Sequence, residues 1–503
     1  MSYSPTLSSG FCRTQNRSPF VTHPSGMCSL CAEDCAGPCE IGLAAVRGAQ
    51  TVYPLTTGAN QIASEKNYPF DFSHFNINGR VFGAQGTAAD YEHAGIWNVN
   101  LERSYGARHP VKLALPVILP AVVKLDWRDY FAGAAMAGVT CMIGEDAKSK
   151  DPALRLEHGK IVDFPFLGEV LDSFRRYARG YGQIVPQCNV EDDLLGVPEI
   201  ALQKYGAEAI EFKFGQSAKG TQPANRLPDL ETALKKKALG AVVRPDPEDP
   251  AVQKAYADGV CPNFYAYGRL PLWDEAFFAR RLAELRRMGL KNVYFKMAGY
   301  DPADLERVLR IAAANEVDLV TFDGAGGGSG YSPCRMMNEW CLPPVELTDA
   351  LWRIAARLRA AGLTLPAIAV AGGFSAEDSV FKALALGGGA VTAVGMCRAP
   401  MAAAMSAKNV GEAIRAGDVP AQYRRYGDTV PEIFADLPDL RALYGRAADD
   451  FPAGAVGVFS FLNKIAFGLR HFGALNRKFD LSLFGREDLI PLTPEARRLL
   501  ADR

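Results

Sequence analysis

Ala367-Ile368-Ala369-Val370-Ala371-Gly372-Gly373-Phe374-Ser375-Ala376-Glu377 sets a strand, a turn and a helix start end to end. Short apolar runs of this kind suit a strand buried on both faces. The two glycines permit a sharp turn, and a helical period follows from Ala376 to Leu386. Read outward, the unit repeats. Further strand-like runs occupy Ala114 to Leu119, Val139 to Ile143, Gln183 to Gln187, Ala209 to Phe214, Asn292 to Met297, Leu319 to Asp323 and Ala390 to Gly395. Helical periods lie between them, at Asp126 to Ala137, Leu167 to Tyr181, Glu199 to Tyr205, Glu275 to Met288, Pro302 to Asn315 and Thr348 to Ala361. Eight strands alternating with helices predict an α/β fold, a (β/α)8 barrel over residues 112–400.

The fourth and fifth runs are too far apart for an ordinary crossover, so Gln216 to about Trp273 reads as an insertion. Excursions after barrel strands lie at the active-site face, where this one would form a lid or a substrate wall. Residues 1–111 form an N-terminal extension, and residues 401–503 a mostly helical C-terminal one.

Hydrophobic residues make up 48% of the 503, charged residues 22%, and the formal charge is -1. This balance gives no reason to expect nucleic acid or a membrane as partner and points to small-molecule chemistry. The longest apolar runs, such as Leu115 to Val123, fall short of the roughly 20 residues a membrane span needs. The first twenty residues carry no secretory pattern, so a cytoplasmic location is expected.

Four of the eleven cysteines crowd into Cys28-Ser-Leu-Cys31-Ala-Glu-Asp-Cys35-Ala-Gly-Pro-Cys39. Converging thiolates select iron-sulfur clusters or zinc, and in a reducing compartment they are more often ligands than disulfides. We read the quartet as a [4Fe-4S] site, with zinc as the competitor. The other seven cysteines are scattered and read mostly as small core residues.

The strand ends carry the remaining signals. Gly372-Gly373 after the seventh run and Gly395 at the end of the eighth fall where barrels hold a phosphate, although tight turns without a ligand use the same residues. The sixth run ends in Asp323-Gly324-Ala325-Gly326-Gly327-Gly328-Ser329-Gly330. So little side chain suits close approach to a flat ring or substrate, or else a flexible loop. Lys296, on the fifth run, points into the same mouth and is suited to negative charge on a reduced flavin; a salt-bridged barrel lysine is the alternative. On the fourth run alternation puts Glu211 and Lys213 on one face, and Lys213, with Gln216 and Lys219, is suited to the carboxylates of an acidic substrate.

Together these segments resemble the FMN-binding synthase domain of the glutamate synthase family, over roughly residues 110 to 400. The family's strand-four pattern is similar to Glu211 through Gly220, and its glycine-rich strand-six pattern to Asp323 through Pro333. Its strand-five lysine corresponds to Lys296, and its Thr-Gly-Glu-Gly-Gly after strand two resembles Ile143-Gly144-Glu145-Asp146. The resemblance implies FMN, a flavin-dependent oxidoreductase, and reductive conversion of 2-oxoglutarate and ammonia to glutamate through an imine. It assigns Lys296, Asp323, Gly326, Gly327, Gly328, Gly372, Gly373 and Gly395 to the cofactor. Lys213, Gln216 and Lys219 fall to the substrate, and Glu145 to proton transfer or iminium binding.

Three departures stand out. Residue 2 is Ser and the nearest cysteine is Cys12, so the family's glutaminase chemistry is not expected. The family's cysteine cluster after strand eight is reduced to Cys397, which leaves the N-terminal quartet as the electron inlet. The segment after the strand-four lysine reads Gly220-Thr-Gln-Pro-Ala, a change that bears on substrate. No Gly-x-Gly-x-x-Gly nucleotide domain is visible, so ferredoxin or a reductase subunit is the expected donor, with the chain part of an oligomer or complex. The same cofactors acting on a different amino acid, an N-substituted glutamate or an unsaturated acceptor is the second reading. A non-catalytic electron-transfer subunit is the third.

Overall fold

A computed structural model describes residues 68–121, 126–145, 147–214, 225–261, 263–325 and 340–501. Its centre is a closed barrel of eight parallel strands: β1 (Val117–Leu119), β2 (Thr140–Ile143), β3 (Ile184–Cys188), β4 (Ala209–Lys213), β5 (Asn292–Ala298), β6 (Leu319–Asp323), β7 (Ala367–Ala371) and β8 (Val391–Gly395). Every strand falls within a residue or so of its expected run, except that β1 starts at Val117 rather than Ala114. β8 pairs with β1 to close the ring.

The helices that cover the barrel are α1 (Trp127–Ala137), α2 (Pro165–Arg175), α3 (Val190–Leu195) and α4 (Val197–Gln203) in its first half. Two more, α5 (Leu230–Ala238) and α6 (Pro250–Ala257), belong to the insertion. The series continues with α7 (Glu275–Arg287), α8 (Pro302–Ala314), α9 (Pro344–Ala360) and α10 (Glu377–Leu386). Strand residues alternate between two environments, as a barrel wall requires. Outward, Phe212 and Phe295 pack on Phe278 of α7, with ring centroids 5.6 and 4.6 Å apart. Inward, Ile118, Met142, Val185, Ala209, Tyr294, Leu319, Ala369 and Ala393 form a separate buried layer.

That inner layer is closed from below. A hairpin, Arg103–Tyr105 against Val111–Leu113, brings Tyr105 under the barrel, where its hydroxyl lies 2.6 Å from Thr140 Oγ1 and 3.0 Å from Tyr294 Oη. Chemistry is thereby confined to the opposite end, where the strands terminate.

The insertion after β4 is a small α/β lobe of its own. Strands Asn225–Leu227, Val242–Arg244 and Phe264–Tyr267 form an antiparallel sheet, and Leu227, Ala233, Val243, Phe264 and Ala266 make its core. Trp273 returns the chain to the barrel by packing edge-on against Phe212 and stacking on Phe277. At the other end α11 (Arg398–Arg415) and α12 (Ala453–Leu475) pack on each other, and α12 also packs on α1. Strand Leu489–Pro491 pairs with Phe75–Ile77, tying the last described segment to the first. Among the described residues no helix is long and apolar enough to cross a membrane.

Candidate functional site

Strand alternation brings the charged residues together at the C-terminal mouth. Lys213 on β4 and Lys296 on β5 are register partners, so two cations stand side by side on neighbouring strands. Both are buried, at 6% and 5% exposure. Like charges at this depth are costly unless matched, and each has a carboxylate. Glu145, just past β2, reaches Lys213 at 3.1 Å, and Asp323, the last residue of β6, reaches Lys296 at 3.3 Å. The salt-bridged lysine weighed from sequence is thus found, in the same mouth as the cofactor reading placed it.

The environment separates the two lysines. Burial, then the neighbouring Lys296 cation, brings the Lys213 amine down to about 8. Burial also penalises the Lys296 cation, but Asp323 and Glu211 outweigh it and raise its pKa. Lys296 is therefore a fixed positive charge, whereas Lys213 is able to exchange a proton near neutrality. Glu211, deeper on β4, has its pKa raised by burial, and Gln187 of β3 donates to its Oε1. Cys397, just past β8, is pushed up to about 11 by burial, so its thiol is held neutral.

Three buried polar atoms within the barrel have no protein partner: Gln187 Oε1, Glu211 Oε2 and Thr321 Oγ1. They sit on β3, β4 and β6. Groups of this kind are ordinarily satisfied, so they mark a place for bound water or a ligand group. Neither Gln187 nor Thr321 stood out in the sequence, where a strand glutamine or threonine has no distinguishing neighbour.

The far side of the mouth is backbone. Gly373, after β7, has φ +79, and nothing lies within 4 Å of where a Cβ would stand. At Gly395 a Cβ would come 2.8 Å from both Ala371 Cβ and Pro120 Cγ, so this seam of the barrel tolerates no side chain. Loops after β5, β6 and β7 are laced to each other: Gly299 N-H donates to Asp323 O and Gly324 N-H to Ala371 O, each at 2.7 Å. Open backbone on one side and paired cations on the other fit a phosphorylated, ring-bearing cofactor such as FMN. Gly372 sits with Gly373 in the β7 turn.

Gln216, Lys219, Gly326, Gly327 and Gly328 lie outside the described residues, as do Cys28, Cys31, Cys35 and Cys39. Among the described residues no group of three or more His, Cys, Asp or Glu side chains is placed to hold a metal. A groove of about 720 Å³ runs beside the mouth, between α3 and the inserted lobe, lined by Leu194, Tyr267, Leu270 and Trp273 among others. It excludes Glu145, Lys213 and Lys296, so the chemistry is assigned to the mouth and the groove to the junction of lobe and barrel.

Residues 274–408 match the sequence model of the conserved region in glutamate synthase. The match runs from α7 into α11 and takes in Lys296, Asp323, Gly372, Gly373 and Gly395, so the resemblance is shown across the second half of the barrel. Solved structures of similar shape include a flavocytochrome b2 variant with sulfite bound, at TM-score 0.47 and 13% identity over 90% of this chain and 85% of that one. The flavin-binding domain of baker's yeast flavocytochrome b2 gives 0.46 and 13% over 86% and 78%. A mandelate oxidase variant with (S)-mandelic acid gives 0.43 and 14% over 88% and 96%. No curated protein matches the chain.

Proposed function

We propose that the chain is an FMN-dependent oxidoreductase of glutamate synthase type, forming glutamate from 2-oxoglutarate and ammonia by way of 2-iminoglutarate. The observation that carries this reading is the register pair Lys213 and Lys296, each faced by its own carboxylate, in the same mouth as the glycine turn after β7 and the glycine end of β8. When bound, FMN supplies hydride transfer to the acceptor carbon. The protein's own residues do the rest. Gly372, Gly373 and Gly395 would offer backbone to its phosphate, and Lys296 would supply a permanent positive charge to the bound cofactor. Gln187 Oε1 and Thr321 Oγ1 are available for hydrogen bonds from below.

Lys213 takes the substrate carboxylate, together with Gln216 and Lys219. Glu145, paired with Lys213, accepts a hydrogen bond from the iminium nitrogen or passes a proton to the developing amine. Positioning residues on β2, β4 and β5 hold the acceptor in one orientation, and the laced loops limit water. Cys28, Cys31, Cys35 and Cys39 would hold a [4Fe-4S] cluster, which would supply one-electron transfer from ferredoxin or a reductase subunit, in a cytoplasmic oligomer or complex.

A second reading keeps the cofactors and changes the acceptor to another amino acid precursor or an N-substituted glutamate. The lobe over residues 225–273 favours it, because an extra folded wall beside the mouth leaves room to select a different side chain. The test is an anaerobic assay with 2-oxoglutarate, ammonia and a reduced electron donor. Glutamate production supports the first reading. Oxidation of bound reduced flavin by other acidic acceptors, with no glutamate formed, supports the second.

A further inference from the structure

The loop that carries Glu145 follows β2, and its carboxylate pairs with Lys213. Three residues on, in the one-turn helix Ala147–Lys150, a lysine turns inward instead of out to water. Lys148 is 7% exposed, and its Nζ donates to the Glu145 carbonyl oxygen at 3.1 Å and to Asp192 Oδ1 at 2.5 Å. Asp192 is 2% exposed and fixed in turn: the Asn189 N-H donates to its Oδ2 at 3.1 Å, and its own N-H donates to Asn189 Oδ1 at 2.9 Å. This capping box starts α3 directly after β3. The Glu145 peptide is thereby moored, through one buried cation, to the end of the neighbouring barrel strand.

Burying such a pair is a poor route to stability, since an apolar pair of the same volume is often as good or better. What an ion pair adds is a fixed geometry. The same short helix also receives the inserted lobe, because Lys236 Nζ donates to Ser149 Oγ at 2.8 Å. Glu191, next to Asp192, accepts from the Arg269 N-H of that lobe.

We propose that Lys148 and Asp192 are positioning residues for Glu145: they hold its backbone so that its carboxylate meets Lys213, and neither touches the reacting atoms. The inference rests on Glu145 acting at the mouth as proposed above, but its test is separable from catalysis. In Lys148→Met the mooring is lost, Glu145 moves off, and Lys213 loses its partner. The rate at which an amine-directed acylating reagent labels Lys213, read by peptide mass spectrometry at about pH 6, where nearly all of this amine is still protonated, should rise about tenfold for a fall of about one unit in its pKa, within the range of coupling between contacting residues. Lys478, 2% exposed and paired with the buried Asp488, should remain unlabelled and so reports that the fold is intact.

Glu145→Gln should give the same increase, and the double variant Glu145→Gln/Lys148→Met no further increase, because both act through one contact. Should Lys148→Met fail to fold, Asp192→Asn keeps the side chain's shape while weakening the mooring, and should raise the labelling rate about threefold. With a competent assay, Lys148→Met lowers kcat more than it raises KM. Unchanged Lys213 labelling in a folded Lys148→Met or Asp192→Asn protein would overturn the proposal, as would fully additive effects in the double variant. A wild-type protein that binds no flavin would instead sink the proposed function and leave the labelling result standing.

Discussion

Two lysines on adjacent strands, both buried, with only one of them free to give up its proton, is the feature of this mouth most open to direct measurement. The Lys213 amine is brought from 10.5 down to about 8, first by burial and then by Lys296. At pH 8 about half of it is neutral, against about 0.3% for an ordinary lysine, so its reactivity is raised more than a hundredfold at equal access. A lysine whose folded pKa lies below its unfolded value costs the folded state about 3 kcal/mol below pH 8, and that cost is relieved as pH rises from 8 to 10.5. Lys296→Met removes the second cause and leaves Asp323 and Glu211 to favour the Lys213 ammonium, so the amine pKa should rise by on the order of one unit. Competitive acylation across pH 7–11, followed by peptide mass spectrometry, gives the titration curve, with Lys254, whose side chain is 75% exposed, as internal reference. The reasoning is refuted if Lys213 titrates with Lys254, or if Lys296→Met leaves its curve where it was.

Other outcomes follow from the same geometry. Gly395→Val forces a Cβ against Ala371 and Pro120 at the β8–β1 seam, and should lower stability by about 1–3 kcal/mol in urea unfolding, with loss of any bound cofactor. Trp273→Ala removes the ring that packs the lobe's return segment on Phe212 and Phe277; the lost burial, about 1.5–3 kcal/mol, should appear as faster protease cleavage between residues 225 and 273 while the barrel survives. Cys35→Ala should lower the iron and sulfide content of anaerobically purified protein, and stoichiometric zinc in the wild type would contradict the cluster assignment.

How much of this was legible in the sequence differs by element. The barrel strands are short apolar runs ended by glycine or charge, and their register with helical stretches between them left little freedom of topology. Glu145, Lys213, Lys296 and Asp323 were singled out because each stands at or near the C-terminal end of its strand, and the structure brings them to one mouth. The inserted lobe was visible as an excess of chain but not as a fold, since its strands Asn225–Leu227 and Val242–Arg244 are too short to show a period and rest on the small core around Phe264. The hairpin that plugs the barrel at Tyr105 was hidden for the same reason. The pairing of Lys148 with Asp192 joins residues 44 positions apart, which only the adjacency of β2 and β3 brings together. Asn189-Val-Glu-Asp192 forms a capping box at the start of α3, a short local pattern that the reading of longer helical periods passed over and that does not reveal the lysine it holds.

The central claim is that the mouth holds FMN, and the most direct test is the protein's own cofactor content. Full-length chain purified anaerobically, or reconstituted with FMN and freed of excess, should show a flavin absorbance spectrum and release FMN, identified by mass, at about one per chain, with binding weakened in Lys296→Met. A colourless protein that takes up no FMN on reconstitution would contradict the account.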